Sequence, residues 1–323
     1  MESLRTLAIP VVRSSAADNR RRCVAVINCV IDERSSVKDV PRPTSETVRP
    51  ESLEPERTTP SSGSTRGGGY DPFFFDRLAQ VEDQHFWFRT RNRLIFELTR
   101  RISSTLRPGY LVLEVGCGTG NVLRTLRKAC PDGVVVGLDL WFEGLRHAQS
   151  RSAGFLVQGD VCNWPFAKPF DLIGLFDVIE HVQEERETLD SLWKSLAPGG
   201  RLLLTVPAHQ FLWSYFDEAA HHCRRYSARD IRQKLTEAGF QVEFLSQFMA
   251  CIFPMVWIFR KMHGLRRQSD SDSIRSQASD EFRLVPIVNQ ILTALLTLEA
   301  RWLARGHHMP IGTSLVVVAC KPA

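Results

Sequence analysis

The chain has 323 residues, 43% of them hydrophobic and 24% charged, enough for one large core or two small ones in an ordinary globular composition. A net charge of only +5 gives no ground for expecting a nucleic-acid partner. No apolar run reaches the roughly 18 residues that span a bilayer, and the eight cysteines form no C-x-x-C pair, which predicts reduced thiols and a cytoplasmic setting.

Residues 1–69 read as a disordered N-terminal tail. Arg20-Arg21-Arg22, scattered proline and serine, and the runs Ser61-Ser62-Gly63 and Gly67-Gly68-Gly69 leave little to bury. The exception is the apolar patch Cys23 to Ile31, which suits a lone strand or a partner contact. Arginines and serines would fit a transit peptide, but Asp18, Asp32, Glu33 and Glu46 are more acid than such peptides carry. Residues 70–323 then read as one folded domain. Phe73-Phe74-Phe75 and His85-Phe86-Trp87-Phe88 precede Leu94, Ile95 and Leu98 at helical spacing, which predicts a helical element laid against a sheet. Its aromatics either pack in the core or cover a pocket.

Leu111 to Val115 is an apolar strand that runs into Gly116, Gly118 and Gly120, and the helical pattern of Val122, Leu123 and Leu126 follows. Strand, glycine turn and helix suit a nucleotide cofactor: glycines let backbone approach a ligand, and a helix N-terminus offers free N–H groups. A dinucleotide fingerprint spaces its glycines G-x-G-x-x-G. Here the spacing is G-x-G-x-G, with Glu114 two residues ahead of the first glycine. A carboxylate there would repel a pyrophosphate and suit the cationic amino-acid end of S-adenosylmethionine (SAM).

Gly133 to Asp139 is a second buried strand. Its terminal Asp139, about 20 residues past the glycine loop, is placed to accept both ribose hydroxyls or to cap the next helix. Phe155 to Asp160 is a third strand ending in another acid, although Gly159-Asp160 also reads as a turn. Phe170 to Val182 is a fourth strand and its exit. It carries Asp177, Glu180 and His181 past the carboxyl end, where open parallel sheets bind ligands. Leu196-Ala197-Pro198-Gly199-Gly200 turns into a fifth strand ending at Pro207.

Ser227, with Asp230 three residues on, starts a helix that Gly239 stops. A sixth strand is expected from Phe240 to Leu245 and an antiparallel seventh from Ser314 to Cys320. Between them, residues 248–312 form a helical insertion. Phe248 to Phe259 is nearly all apolar and leads to Arg260-Lys261 and Arg266-Arg267; a Ser/Asp-rich linker, Gln268 to Asp280, follows. A second helix carries Leu284, Val288, Ile291, Leu295, Leu298 and Trp302 on one stripe. The insertion reads either as a substrate lid or as an interfacial anchor, with peripheral membrane contact through residues 248–305.

Glu-x-Gly-x-Gly-x-Gly at residues 114–120 and Leu-x-Pro-Gly-Gly ahead of the fifth strand, with the strand-tip acids between them, resemble the motifs of class I SAM-dependent methyltransferases. The likeness covers roughly residues 85 to 245 and the last strand. It implies a Rossmann-like α/β fold: a seven-stranded, mostly parallel sheet with an antiparallel last strand, helices on both faces and a helical insertion between strands six and seven. It also implies that Glu114, Gly116, Cys117, Gly118, Thr119, Gly120 and Asn121 cradle SAM. Asp139 with Leu140 would take the ribose, Asp160 with Val161 the adenine, and Phe176 and Asp177 would complete the pocket. His-Phe-Trp-Phe-x-x-Arg-Asn-Arg, residues 85–93, resembles the cap segment of a bacterial subgroup.

The implied activity is methyl transfer to a small or lipid-linked acceptor, with a hydroxyl oxygen favoured because the Asn/Asp-Pro-Pro-Tyr motif of many amino-group methyltransferases is missing. His181, His209 and His222 are candidate bases. Asp177-x-x-Glu180-His181 with a later histidine also resembles the site of two metal-using O-methyltransferase families, making Asp177, Glu180, His181 and His222 candidate ligands of a divalent ion. Asp177 is shorter than the glutamate of that pattern, and Val-Ile-Glu-His-Val is also found in metal-free methyltransferases. An N- or C-methyltransferase and a catalytically silent membrane-associated SAM-binding scaffold are the alternatives. A nicotinamide-dependent oxidoreductase is disfavoured by the glycine spacing.

Overall fold

The computed structural model describes residues 12–13, 73–151, 154–263 and 285–323. The expected tail, apart from Val12 and Arg13, lies outside them, as do the patch Cys23 to Ile31, the linker Gln268 to Asp280, and Leu284.

Five strands run parallel: β2 (Leu111–Val115), β3 (Val134–Asp139), β4 (Phe155–Gln158), β5 (Phe170–Phe176) and β6 (Leu196–Pro207). Strand β8 (Ser314–Cys320) lies antiparallel between β6 and β7 (Gln241–Phe248). The sheet order is β1-β4-β3-β2-β5-β6-β8-β7, where β1 (Val12–Arg13) is a two-residue parallel addition beside β4. The expected seven strands are therefore present with one short edge strand added. β8 has the predicted limits, while β7 begins one residue later than expected and continues to Phe248.

Strand residues alternate between two cores. Val112, Val135, Leu172, Leu203 and Val316 face a layer that includes α2 (Phe86–Ser103), α3 (Asn121–Ala129), α4 (Phe142–Arg151) and α9 (Pro286–Ala304). Leu113, Val136, Ile173, Leu204 and Val317 face α5 (Glu185–Ser195) and α7 (Ala228–Glu237). Burial on both faces is why the strands read as continuous apolar runs rather than alternating ones. Helix α7 starts as the sequence predicts, with the Ser227 hydroxyl accepting from Asp230 N–H at 3.0 Å. The remaining helices are α1 (Phe73–Val81), the short α6 (Tyr215–Ala219) and α8 (Phe253–His263).

Helix α9 packs on α2 with Leu296, Ala300 and Leu303 inward. The predicted stripe faces the other way: Val288, Ile291, Leu295, Leu298 and Trp302 are exposed. Two polar residues of α9 organise its neighbours. Asn289 accepts from Phe86 N–H at 2.7 Å and donates to Gln84 O at 2.9 Å, fixing the start of α2. Buried Glu299 accepts from the backbone N–H groups of Met249, Ala250 and Cys251, holding the left-handed turn at Met249 (φ 63°) that leads into α8.

A candidate site at the switch point of the sheet

The chain leaves β2 toward β3 and β4, then returns to build β5 and β6 on the other side, so a crevice opens between β2 and β5 at their carboxyl ends. A cavity of about 470 Å³ occupies it, within the range of roughly 300–1,000 Å³ for small-molecule sites. The glycine loop forms its floor. Gly116, Gly118 and Gly120 all have positive φ, a region that side chains rarely enter. A Cβ on Gly116 would lie 2.4 Å from Val178 Cγ2, and one on Gly120 would lie 2.8 Å from Ala148 Cα. Glycine is therefore required at both positions by conformation and by space.

Two buried acids rise from the strand tips. Burial holds the Glu114 carboxyl well above the usual range, against the attraction of nearby Arg91, and its Oε2 has no hydrogen-bond partner. Asp139 accepts from Gly118 N–H at 2.6 Å and Trp141 N–H at 2.8 Å. Burial pushes its pKa up to about 6, although those two bonds pull it back. Asp139 thus ties the glycine loop to the next helix while keeping lone pairs for a ligand. Asp160 accepts from Cys162 N–H at 2.9 Å, as the turn reading of that dipeptide expects, and also lines the cavity with Val161 and Leu140.

The aromatic N-terminal elements close the site. Phe74, Phe75 and Leu78 of α1 and Phe86, Trp87 and Phe88 of α2 all line the cavity, so these aromatics cover a pocket as well as pack. An ionic latch holds α1 to the loop. Buried Glu82 accepts from Thr119 Oγ1 and from Arg151, while Asp83 accepts from Arg124 and from Asn121 Nδ2, the last at 2.9 Å.

A second polar cluster is built on Asp217. This wholly buried carboxylate accepts from Ser214 N–H at 2.8 Å, His222 Nδ1 at 2.9 Å, Arg225 Nε at 2.7 Å and Arg260 Nη1 at 3.2 Å. Burial opposes its charge, but the bonds from His222 and Arg225 win and hold its pKa well below the usual carboxylate range. His181 meets His222 edge to face at 4.7 Å. Burial, then neighbouring His222, depresses the His181 pKa to about 3, so it stays neutral. Glu180 is fully buried with both carboxylate oxygens lacking a hydrogen-bond partner, and burial followed by nearby Asp177 raises its pKa well above normal.

The predicted residues separate on this geometry. His181 and His222 line the cavity; His209 does not, and its Nε2 meets Gln247 Oε1 at 2.6 Å. Of the four metal candidates, Glu180, His181 and His222 bring ligand atoms within 4.8 Å of one another. Asp177 lies outside that set, and Arg91 Nη1 donates to its Oδ2 at 2.7 Å. Arg91, Glu82, Asp217, Arg225 and Arg260 were absent from the predicted site. Arg91 had its signal in the Arg-Asn-Arg of the cap segment, Asp217 and Arg225 in the polar run around His222 that follows the fifth strand, and Arg260 in the basic pair that ends the apolar run of the insertion. Among the described residues no helix is long and apolar enough to cross a membrane.

Residues 87–244 match a sequence family described as a methyltransferase domain. That stretch, just under half of the chain, is similar to the class I SAM-dependent methyltransferases. A trans-aconitate 2-methyltransferase from Azoarcus sp. is 32% identical over 136 residues, 42% of this chain and 51% of the relative. Another, from Acidovorax sp., is 28% identical over 189 residues, 56% and 69% of the two chains. The first curated relatives are thus matched over about half their length. The plantazolicin methyltransferase solved with S-adenosylhomocysteine shares the fold, with TM-score 0.50 and 14% identity over 78% of this chain and 91% of that one.

Proposed function

We propose that this protein transfers the methyl group of SAM to a hydroxyl oxygen of a small or lipid-linked acceptor. The observation that carries the reading is His222, backed by Asp217, on the wall of the cavity that also holds Glu114 and Asp139. The unpartnered, buried Glu114 Oε2 beside a glycine cradle suits the ammonium group of SAM, and Asp139 suits its ribose. When bound, SAM supplies an electrophilic methyl on a sulfonium sulfur.

What remains for the chain is to align the acceptor, exclude water and take the acceptor's proton. With Nδ1–H donated to Asp217, the His222 ring has its lone pair on Nε2, which makes it the base. Asp217 stabilises the imidazolium that forms. His181, held neutral, supports the His222 ring, and Glu180, kept protonated, offers a donor to the acceptor's polar group. His209, off the cavity, takes no part.

The test is calorimetric titration of S-adenosylhomocysteine, followed by methyl transfer from labelled SAM to hydrophobic phenols and lipid-linked alcohols. His222→Asn is expected to lose about 10²–10⁴ in kcat with cofactor affinity unchanged. Equal rates in wild type and variant would remove His222 as base. A rate abolished by EDTA and restored by Mg or Mn would make Glu180, His181 and His222 metal ligands instead.

A further inference from the structure

Helix α8 has two sides with different neighbours. Ile252, just ahead of it, and Val256 and Arg260, at the four-residue spacing of one helix face, line the candidate site. Met255, Ile258, Phe259 and Met262 occupy the other face and are exposed, Met262 by 65%. Neighbouring α9 does the same, exposing Ile287 and Leu298 by 72% and 61%. Of the fifteen large apolar side chains exposed among the described residues, twelve lie between Met255 and Trp302. Glu299 of α9 holds the turn that leads into α8, and Val256 and Leu292 pack against the same buried cluster. Isolated exposed apolar residues are normal, but a concentration of this kind marks an interaction surface.

Charge identifies the partner. The described charges of the two helices and the C-cap of α9 are Arg260, Lys261, Arg301, Arg305 and one acid, Glu299, which is buried on backbone N–H groups. Lys261, Arg301 and Arg305 are exposed. An apolar surface whose own exposed charges, among the described residues of the two helices, are cations is complementary to an anionic lipid interface, where side chains enter the acyl boundary and cations meet headgroups.

We propose that the outer faces of α8 and α9 dock on an anionic lipid surface, so that the wall of the active-site cavity formed by α8 stands at the membrane interface. Its consequence for substrate choice rests on the methyl-transfer reading: the acceptor is an amphiphile whose reactive head enters past α8 while its apolar tail stays in the bilayer.

The test is flotation of the full chain on vesicles of phosphatidylcholine with and without phosphatidylglycerol. Flotation is expected on the anionic vesicles, weakening as salt rises. Ile258→Glu with Leu298→Glu should lower partition at least tenfold, since each removes a large apolar side chain from the interface. Lys261→Glu with Arg301→Glu, which keeps the apolar face, should release the protein from anionic vesicles. Equal flotation on both vesicle types, or none on either, would overturn the proposal. So would a dimer in light scattering that Ile258→Glu with Leu298→Glu dissociates, because the face would then belong to a second copy. Calorimetry with S-adenosylhomocysteine on the same samples separates the two readings. Cofactor binding without flotation sinks the docking alone, and flotation without cofactor binding sinks the methyl-transfer reading alone.

Discussion

At the scale of single residues, Asp139 carries the clearest pH dependence. Burial lifts its pKa to about 6, so the folded protein binds a proton more readily there than the unfolded chain does. This contribution to stability is therefore fully present below the unfolded value and is lost as pH rises toward about 6. Ribose hydroxyls donate to the ionised form. Affinity for S-adenosylhomocysteine should therefore fall as pH drops below about 6, approaching tenfold per unit, which calorimetry at stepped pH would measure. Asp139→Ala should weaken binding at least tenfold, and unchanged affinity would leave Asp139 only its structural bonds to Gly118 and Trp141. The position of Asp139, at a strand tip beside the glycine loop, was legible because strand period and glycine spacing fix it. The partners of the histidines were not. His209 and His222 both follow the fifth expected strand, and only the fold shows that one faces Gln247 and the other Asp217. Arg91 meets Asp177 across 86 positions of sequence, a pairing that no local pattern encodes.

At the scale of elements, the latch under α1 joins the aromatic cover to the glycine loop through Glu82, Thr119 and Arg151. Removing one partner of a buried pair leaves the other charge uncompensated, at a cost of roughly 3–5 kcal/mol. Glu82→Ala should show that loss in denaturant titration, together with faster release of S-adenosylhomocysteine in stopped-flow. Faster release without the stability change would mean that the latch acts on the cover only. The helices illustrate how far periodicity reaches. It placed an apolar stripe on α9 correctly along the sequence, yet the face that packs uses Leu296, Ala300 and Leu303. Amphipathic spacing identifies a face that avoids water, not the surface that meets it, and here one helix carries two such faces. The added strand β1 had no signal at all, since two residues are too short for any period.

At the scale of the whole molecule, cofactor binding should raise the melting temperature by several degrees. Ligand at 100 times Kd adds about 2.7 kcal/mol, and each kcal/mol is worth roughly 2–4 °C in a domain of this size. NADPH should give no such shift in thermal scanning, and an equal shift with NADPH would reopen the oxidoreductase reading. Sheet order also has a consequence during synthesis. Strand β8 lies between β6 and β7, and among the described residues β7 pairs with no other strand. When β7 leaves the ribosome, its partner is still to be made, and residues 249–313, including the apolar helices α8 and α9, must come first. At about 5–20 residues per second, the open edge of β6 waits for several seconds. In that interval Leu202 to Val206 present an unpaired apolar edge, and helices α8 and α9 emerge before the strand that completes the sheet. The nascent chain is thus most in need of a chaperone, or of a membrane to lie on, just before its last strand closes the fold.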